Sequence, residues 1–121
     1  MRIIIAGSRG FTDYPRLRRC VDEFIADHPT DDVVIVSGGA RGADRLGEQY
    51  AHERGYKLRI MRADWDRFGK SAGYRRNEQM ALIADVLIAF WDGQSRGTRH
   101  MIDLAKTHDL DYVLIERCDR D

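Results

Sequence analysis

Short apolar runs alternate with amphipathic segments along the chain. Five runs are rich in Ile, Val and Leu and nearly continuous in hydrophobicity, which is typical of strands buried on both faces. They lie at 2–6, 33–37, 57–62, 86–91 and 111–116, and helices are predicted between them at 14–27, 42–54, 72–84 and 97–108. Strands separated by helices of this length predict right-handed crossovers and a parallel sheet, which is an α/β fold.

Two of the predicted strands run into glycine-rich turns. The first leads into Gly7-Ser8-Arg9, and the second into Ser37-Gly38-Gly39-Ala40-Arg41-Gly42. A strand that ends in small residues before a helix leaves backbone N–H groups exposed, and such groups bind phosphate. Because each turn also carries an arginine, the pattern predicts that these turns bind an anion.

Basic side chains gather around the predicted starts of the helices, where the helix dipole disfavours a cation by roughly 0.3–1 kcal/mol. They are Arg9, Arg41, Arg45, Lys70, Arg75, Arg76, Arg96, Arg99 and His100. In a parallel α/β sheet these helix starts lie at the carboxyl edge of the strands, where ligands bind, so we predict an anion site there. The alternative is that each side chain simply extends into water. Asp44 and Asp103 lie among these cations and would orient them or accept hydrogen bonds from a ribose.

The stretch at 63–73 is irregular, and loops of this length in compact domains are often functional. Its aromatic residues Trp65 and Phe68, with the neighbouring Tyr74, would form a lid over a ligand or cover a sheet edge or subunit contact. Trp91 ends the fourth predicted strand, where it would stack on a nucleobase or pack at the rim.

A chain of 121 residues is predicted to form one domain, 1–121. Lys and Arg total 20, as do Asp and Glu, and the resulting zero net charge argues against binding of long nucleic acid, which needs a broad basic face. No apolar run approaches the ~20 residues of a membrane span, and no signal-peptide pattern follows the first residue. We therefore expect a cytoplasmic protein. Residues 117–121 are expected to form a frayed end.

Neither the cysteines nor the histidines form a metal-binding pattern. Cys20 and Cys118 are far apart, which fits a reducing compartment and does not indicate a zinc site. The histidines lack a cysteine or carboxylate partner at ligand spacing; they are His28, His52, His100 and His108. No metal ion and no cofactor is predicted.

Several motifs in combination resemble the SLOG superfamily. Those similar to the Smf/DprA Rossmann core are Gly7-Ser8-Arg9 with Thr12 and Tyr14, and Ser37-Gly38 with Ala40-Arg41-Gly42 and Asp44. Those similar both to that core and to LOG-type nucleotide phosphoribohydrolases are Arg76-Asn77, Ala84-Asp85-Val86-Leu87-Ile88, and Ser95, Gly97 and Thr98. The whole pattern most resembles the small YspA (cpYpsA-related) branch. The resemblance implies a Rossmann-like three-layer sandwich, a five-stranded parallel sheet of order 3-2-1-4-5, and a nucleotide pocket.

The resemblance also implies roles for individual residues. Gly7, Ser8 and Arg9 would form one phosphate or ribose turn, and Ser37, Gly38, Gly39 and Gly42 a second one close to Asp44. Gly97 and Thr98 match a phosphate cradle of LOG-type proteins, and Arg76 matches their upstream arginine. Those proteins carry a catalytic glutamate one helical turn after the threonine, whereas Asp103 here is displaced toward another helix face. The carboxylate that glycosidic cleavage requires is therefore missing from the matching position.

Three functions follow as hypotheses. The first is a domain that binds a nucleotide or nucleotide-derived phosphorylated ligand, as a sensor or sequestering module. Its ligand-binding set would also include Arg41, Lys70, Asn77 and Trp91. The second is a hydrolase or transferase that processes such a ligand, with Asp44 or Asp103 as the acid–base group. The third is single-stranded DNA binding in the DprA manner. A homodimer is a further possibility implied by the SLOG resemblance.

Overall fold

The computed structural model describes residues 1–118, which form five strands and five α-helices. In chain order these are β1 (Arg2–Gly7), α1 (Tyr14–Asp27), β2 (Val34–Ser37), α2 (Ala43–Arg54), β3 (Lys57–Ile60), α3 (Trp65–Phe68), α4 (Ala72–Ile83), β4 (Val86–Trp91), α5 (Arg96–Thr107) and β5 (Tyr112–Arg117). A single 3₁₀ turn, Gly69–Ser71, links α3 to α4. The alternating strands and helices predicted from the sequence are confirmed.

All five strands pair in parallel in the order β3-β2-β1-β4-β5, as the resemblance implied. From β1 the chain first extends the sheet in one direction, through β2 and β3, and then returns to add β4 and β5 on the other side. The switch point therefore lies between β1 and β4, where Ile4 faces Leu87 and Gly7 faces Phe90. In sheets of this kind the crevice at the carboxyl ends of these two strands is where ligands bind.

The strands are apolar on both faces because helices cover both faces. On one side Ile3 and Ile5 pack with Leu17 of α1 and Tyr50 of α2. On the other side Ile4 packs in a second cluster with residues of α4 and α5, among them Met80 and Met101. The result is the three-layer, Rossmann-like arrangement that was predicted.

Two local expectations are wrong. The stretch at 63–73 is not a continuous loop, since Asp64 caps the short helix α3 by accepting the N–H of Arg67 at 3.1 Å. The end of the chain does not fray at Arg117, which belongs to β5, and the N–H of Cys118 donates to the carbonyl of Trp91 at 2.9 Å. The rest of the predicted frayed end, residues 119–121, lies outside the described residues. None of the helices within residues 1–118 has the length and apolar character to cross a membrane.

Candidate functional site

Two adjoining hollows open at the carboxyl edge of the sheet. The smaller one, about 90 Å³, lies between the end of β1 and the helices α4 and α5, and Gly7 and Gly97 are part of its wall. The larger one, about 340 Å³, lies beside the turn that follows β2 and the residues that follow β3. Arg9, Ala40 and Arg76 line both, so the two hollows are neighbouring parts of one rim.

Arg76 is the side chain that joins the two hollows. It stands on α4 and is half-buried; its Nη1 donates to the carbonyl of Gly38, and its Nε donates to Oδ1 of Asn77 at 3.0 Å. Burial lowers the pKa of the guanidinium, against the attraction of the Asp44 carboxylate, while Arg9 lowers it further. The loop after β2 thus fixes the position of a cation whose remaining N–H groups can meet a ligand.

The start of α5 forms the opposite wall of the smaller hollow. Ser95 caps the helix, because its Oγ accepts the N–H of Thr98 at 3.4 Å and lies 3.0 Å from the Thr98 Oγ1. Nδ2 of the buried Asn77 donates to the carbonyl of Gly97 at 3.3 Å and so ties α5 to α4. A Cβ atom added to Gly97 would meet no heavy atom within 4 Å, which leaves this backbone open. A helix start with bare backbone attracts anions through its free N–H groups and its dipole.

Asp44 is the acidic group of the smaller hollow. It is 7% exposed, and its Oδ2 accepts the N–H of Ala40 at 3.2 Å. Burial raises the pKa of this carboxyl to about 6, with a further increase from Glu48, although the Ala40 N–H and the cations Arg76 and Arg9 act in the opposite direction. A carboxyl with such a pKa can donate or accept a proton close to neutral pH.

This pKa predicts an unusual dependence of stability on pH. Because the folded-state pKa of about 6 lies above the ordinary value of 3.8, the fold favours the protonated acid. Asp44 therefore contributes most stability at low pH, and the contribution is lost as the pH rises through about 6. The free energy of unfolding of Asp44→Asn minus that of the wild-type protein should be more positive at about pH 7.5 than at about pH 4, by up to ~3 kcal/mol.

Urea denaturation at the two pH values measures that difference directly. The exposed Asp103, on α5, offers a matched control as Asp103→Asn. A difference between wild type and Asp44→Asn that stays constant across the pH range would contradict a raised pKa.

The structure brings most of the predicted binding residues to the rim. Those that line the smaller hollow are Gly7, Arg9, Asp44, Arg76, Asn77, Gly97 and Thr98, and those that line the larger one include Arg9, Gly38, Gly39, Arg41 and Arg76. The predicted binding residues and acid–base candidates that line neither hollow are Ser8, Ser37, Gly42, Lys70, Trp91 and Asp103. Four further members of the predicted group of cations also line neither hollow: Arg75, Arg96, Arg99 and His100.

The two predicted phosphate-binding hydroxyls are used inside the protein. Oγ of Ser8 accepts the N–H of Asp92 at 3.1 Å. Oγ of Ser37 donates to Glu48 at 2.7 Å and accepts the N–H of Gly39 at 3.1 Å. Both serines are buried, so they hold the turns in shape instead of facing the hollows.

The other predicted residues that line neither hollow either contact other parts of the protein or are exposed. The Trp91 indole donates to the carbonyl of Ser95 at 3.1 Å and lies under the guanidinium of Arg117. Lys70 is exposed in the 3₁₀ turn, and Asp103 is exposed on α5. Met101 lies one helical turn after Thr98 and lines the smaller hollow, so the position there is apolar. Of the two proposed acid–base groups, Asp44 lines a hollow and Asp103 does not.

Some residues at the rim were not assigned to it from the sequence. Arg62 lines the larger hollow but was not among the predicted cations, although its position just after β3 places it at the carboxyl edge. Arg45, which is among the predicted cations, and Trp65, which belongs to the proposed lid, line the larger hollow as well. The proposed aromatic lid separates: Trp65 is at the hollow, Phe68 contacts Arg67 and Arg75, and Tyr74 packs edge-on against His100.

Comparison of the sequence with known proteins identifies a family and a similar protein. The sequence model of the YspA, cpYpsA-related SLOG family matches residues 1–68. The Gene 61 protein of Mycobacterium phage D29 is 41% identical over 108 residues, which cover 82% of this chain and 83% of that protein.

Two solved structures share the fold. DNA processing protein A from Helicobacter pylori, which binds single-stranded DNA, has a TM-score of 0.71 and 20% identity, over 100% of this chain and 68% of that one. DNA processing protein A from Streptococcus pneumoniae has a TM-score of 0.74 and 19% identity, over 99% of this chain. The present chain spans 52% of the Streptococcus chain. At sequence identities of 20% and 19%, the similarity to these two structures shows a shared fold alone.

Proposed function

The chain belongs to the YspA, cpYpsA-related SLOG family, and from that premise we propose that its carboxyl rim binds a nucleotide-type phosphorylated ligand, as a sensor or sequestering module. One observation carries the proposal: Arg9, Arg76 and Gly97 line the same hollow, at the start of α5. Two cations and an open helix N-terminus that converge on one space are suited to a phosphate group.

Each part of the smaller hollow has a role in this proposal. The backbone N–H group of Gly97 donates to a phosphate oxygen, and Arg76 and Arg9 neutralise the charge. Asp44 lies between the cations and the turn after β2, where its carboxyl can accept a hydrogen bond from a ribose hydroxyl. The Ser95 cap and the Asn77 amide hold the helix start in position for these contacts.

Single-stranded DNA is the second candidate ligand. The fold neighbours are DNA processing proteins, and the one from Helicobacter pylori binds single-stranded DNA, which weakens the expectation drawn from net charge. Zero net charge describes the whole chain, whereas five arginines line the larger hollow alone. A local group of cations suffices for contacts to a few phosphates.

Fluorescence polarisation separates the two candidates. A fluorescently labelled adenosine 5′-monophosphate and a labelled oligothymidine are titrated with the protein at about 50 mM and about 200 mM salt. A nucleotide site predicts saturable binding of the monophosphate, little of which is lost at the higher salt. A DNA site predicts tighter binding of the oligonucleotide and a steep loss of affinity with salt, because several counterions are released. If the monophosphate bound at neither salt concentration, the nucleotide proposal would be wrong.

A further inference from the structure

The larger hollow holds more positive charge than a single phosphate group needs. In addition to Arg9 and Arg76, which it shares with the smaller hollow, it is lined by Arg41, Arg45 and Arg62. No carboxylate of residues 1–118 is part of its wall, and no ion pair within that range involves any of these five side chains.

Two arginines elsewhere on the molecule form ion pairs. Arg16 lies 2.6 Å from the Glu116 carboxylate, and Arg54 lies 2.6 Å from Asp22. At the hollow, by contrast, like charges gather beside the start of α2, whose dipole also disfavours cations. Repulsion between such groups falls when an anion binds among them.

The wall of this hollow also includes an arginine that packs on the backbone of a turn, and one aromatic ring. The Arg62 side chain lies across the backbone of Gly39, where its Cγ and Nη1 would be 3.4 and 3.3 Å from an added Cβ. One edge of the Trp65 indole lies over Gly73, 3.5 Å from the Cβ position there. The indole is still 53% exposed, so much of the ring is free at the mouth of the hollow.

The volumes of the two hollows suit two different parts of one ligand. About 90 Å³ accepts one phosphate-sized group, whereas about 340 Å³ is at the lower end of the range for small-molecule sites. We infer that the ligand carries two phosphate groups separated by a nucleoside, one at the start of α5 and the other among Arg41, Arg45 and Arg62, with the base against Trp65. This inference rests on the proposed nucleotide site and names the class of ligand: a nucleoside bisphosphate.

Isothermal titration calorimetry with two probes tests it. Adenosine 3′,5′-bisphosphate should bind the full chain about tenfold more tightly than adenosine 5′-monophosphate, because the second phosphate gains charge-assisted hydrogen bonds. The ratio of the two dissociation constants is the readout. Arg62→Gln should lower that ratio to about threefold, because Arg41 and Arg45 remain beside the second phosphate. Arg59→Gln, at an exposed position on β3 that lines neither hollow, should keep the ratio of the wild-type protein.

The possible failures are distinguishable. Equal affinities for the two probes in the wild-type protein would overturn the two-phosphate inference and leave the nucleotide site standing. A ratio that Arg62→Gln does not change would also overturn it, since the extra affinity would then come from elsewhere. If neither probe bound, the proposed function and this inference would fall together.

Discussion

Replacement of Arg76 by glutamine is expected to lower the affinity for adenosine 5′-monophosphate about 10- to 100-fold. The guanidinium lines both hollows and is held there by its bonds to Gly38 and Asn77. Glutamine removes the positive charge and shortens the side chain, so a charge-assisted hydrogen bond to phosphate is lost. Calorimetric titration of the variant measures the change in dissociation constant.

The neighbouring residue offers a matched control. Arg75 is exposed on the same helix, where it donates to Oγ of Ser71 at 3.1 Å and lies over the ring of Phe68. Arg75→Gln removes the same charge from the chain but none from the rim, and it should leave the dissociation constant nearly unchanged. An equal loss in both variants would indicate a general effect of net charge and would contradict a specific role for Arg76.

The substitution Gly42→Ala is expected to destabilise the fold by about 3 kcal/mol or more. Gly42 has φ +77° and ψ −128°, a backbone conformation almost restricted to glycine. A Cβ atom there would lie 2.3 Å from the Ser8 carbonyl oxygen and 2.5 Å from that of Arg9. Both contacts are to backbone, which a change of rotamer cannot relieve. Urea denaturation followed by circular dichroism measures the effect.

Gly55→Ala separates the cost of the positive φ from the cost of the clash with neighbouring backbone. Gly55 also has a positive φ, +70°, but it ends α2 in open space, with nothing within 4 Å of an added Cβ. Its replacement should cost only about 1 kcal/mol, the penalty for a left-handed residue. If Gly42→Ala were no more destabilising than Gly55→Ala, the close approach between the two glycine-rich turns would not be a packing constraint.

Gly42 also shows why the turns were easier to predict than the contacts. The sequence indicates a glycine-rich turn after β2, and the structure has one. In that turn the absence of a side chain at Gly42 lets the start of α2 approach Ser8, and it does not leave space for a ligand. Ser8 and Ser37 behave in the same way, since their partners, Asp92 and Glu48, come from other segments of the chain. Such pairings depend on distances across the fold that a local motif does not contain.

The distribution of arginines was predictable in part. Arg9, Arg41 and Arg76 were assigned to the rim because a parallel sheet directs the carboxyl ends of all its strands to one edge. Arg62 is absent from the predicted group because that group contains cations near helix starts, whereas Arg62 ends the third predicted strand. Lys70 is in the predicted group because it flanks the start of the predicted helix at 72–84, but it is exposed in the 3₁₀ turn and lines neither hollow.

The amino-acid sequence by itself determined the α/β class, the location of the strands and long helices, and the edge at which the cations would gather. These features follow from the period of the apolar positions and from helix and turn chemistry, which act over a few neighbouring residues. The tertiary structure alone decided which side chains line the two hollows and that Asp44 is buried enough to titrate near neutral pH. Burial and partner choice are set by residues far apart in the chain, so they exist only once the fold has formed.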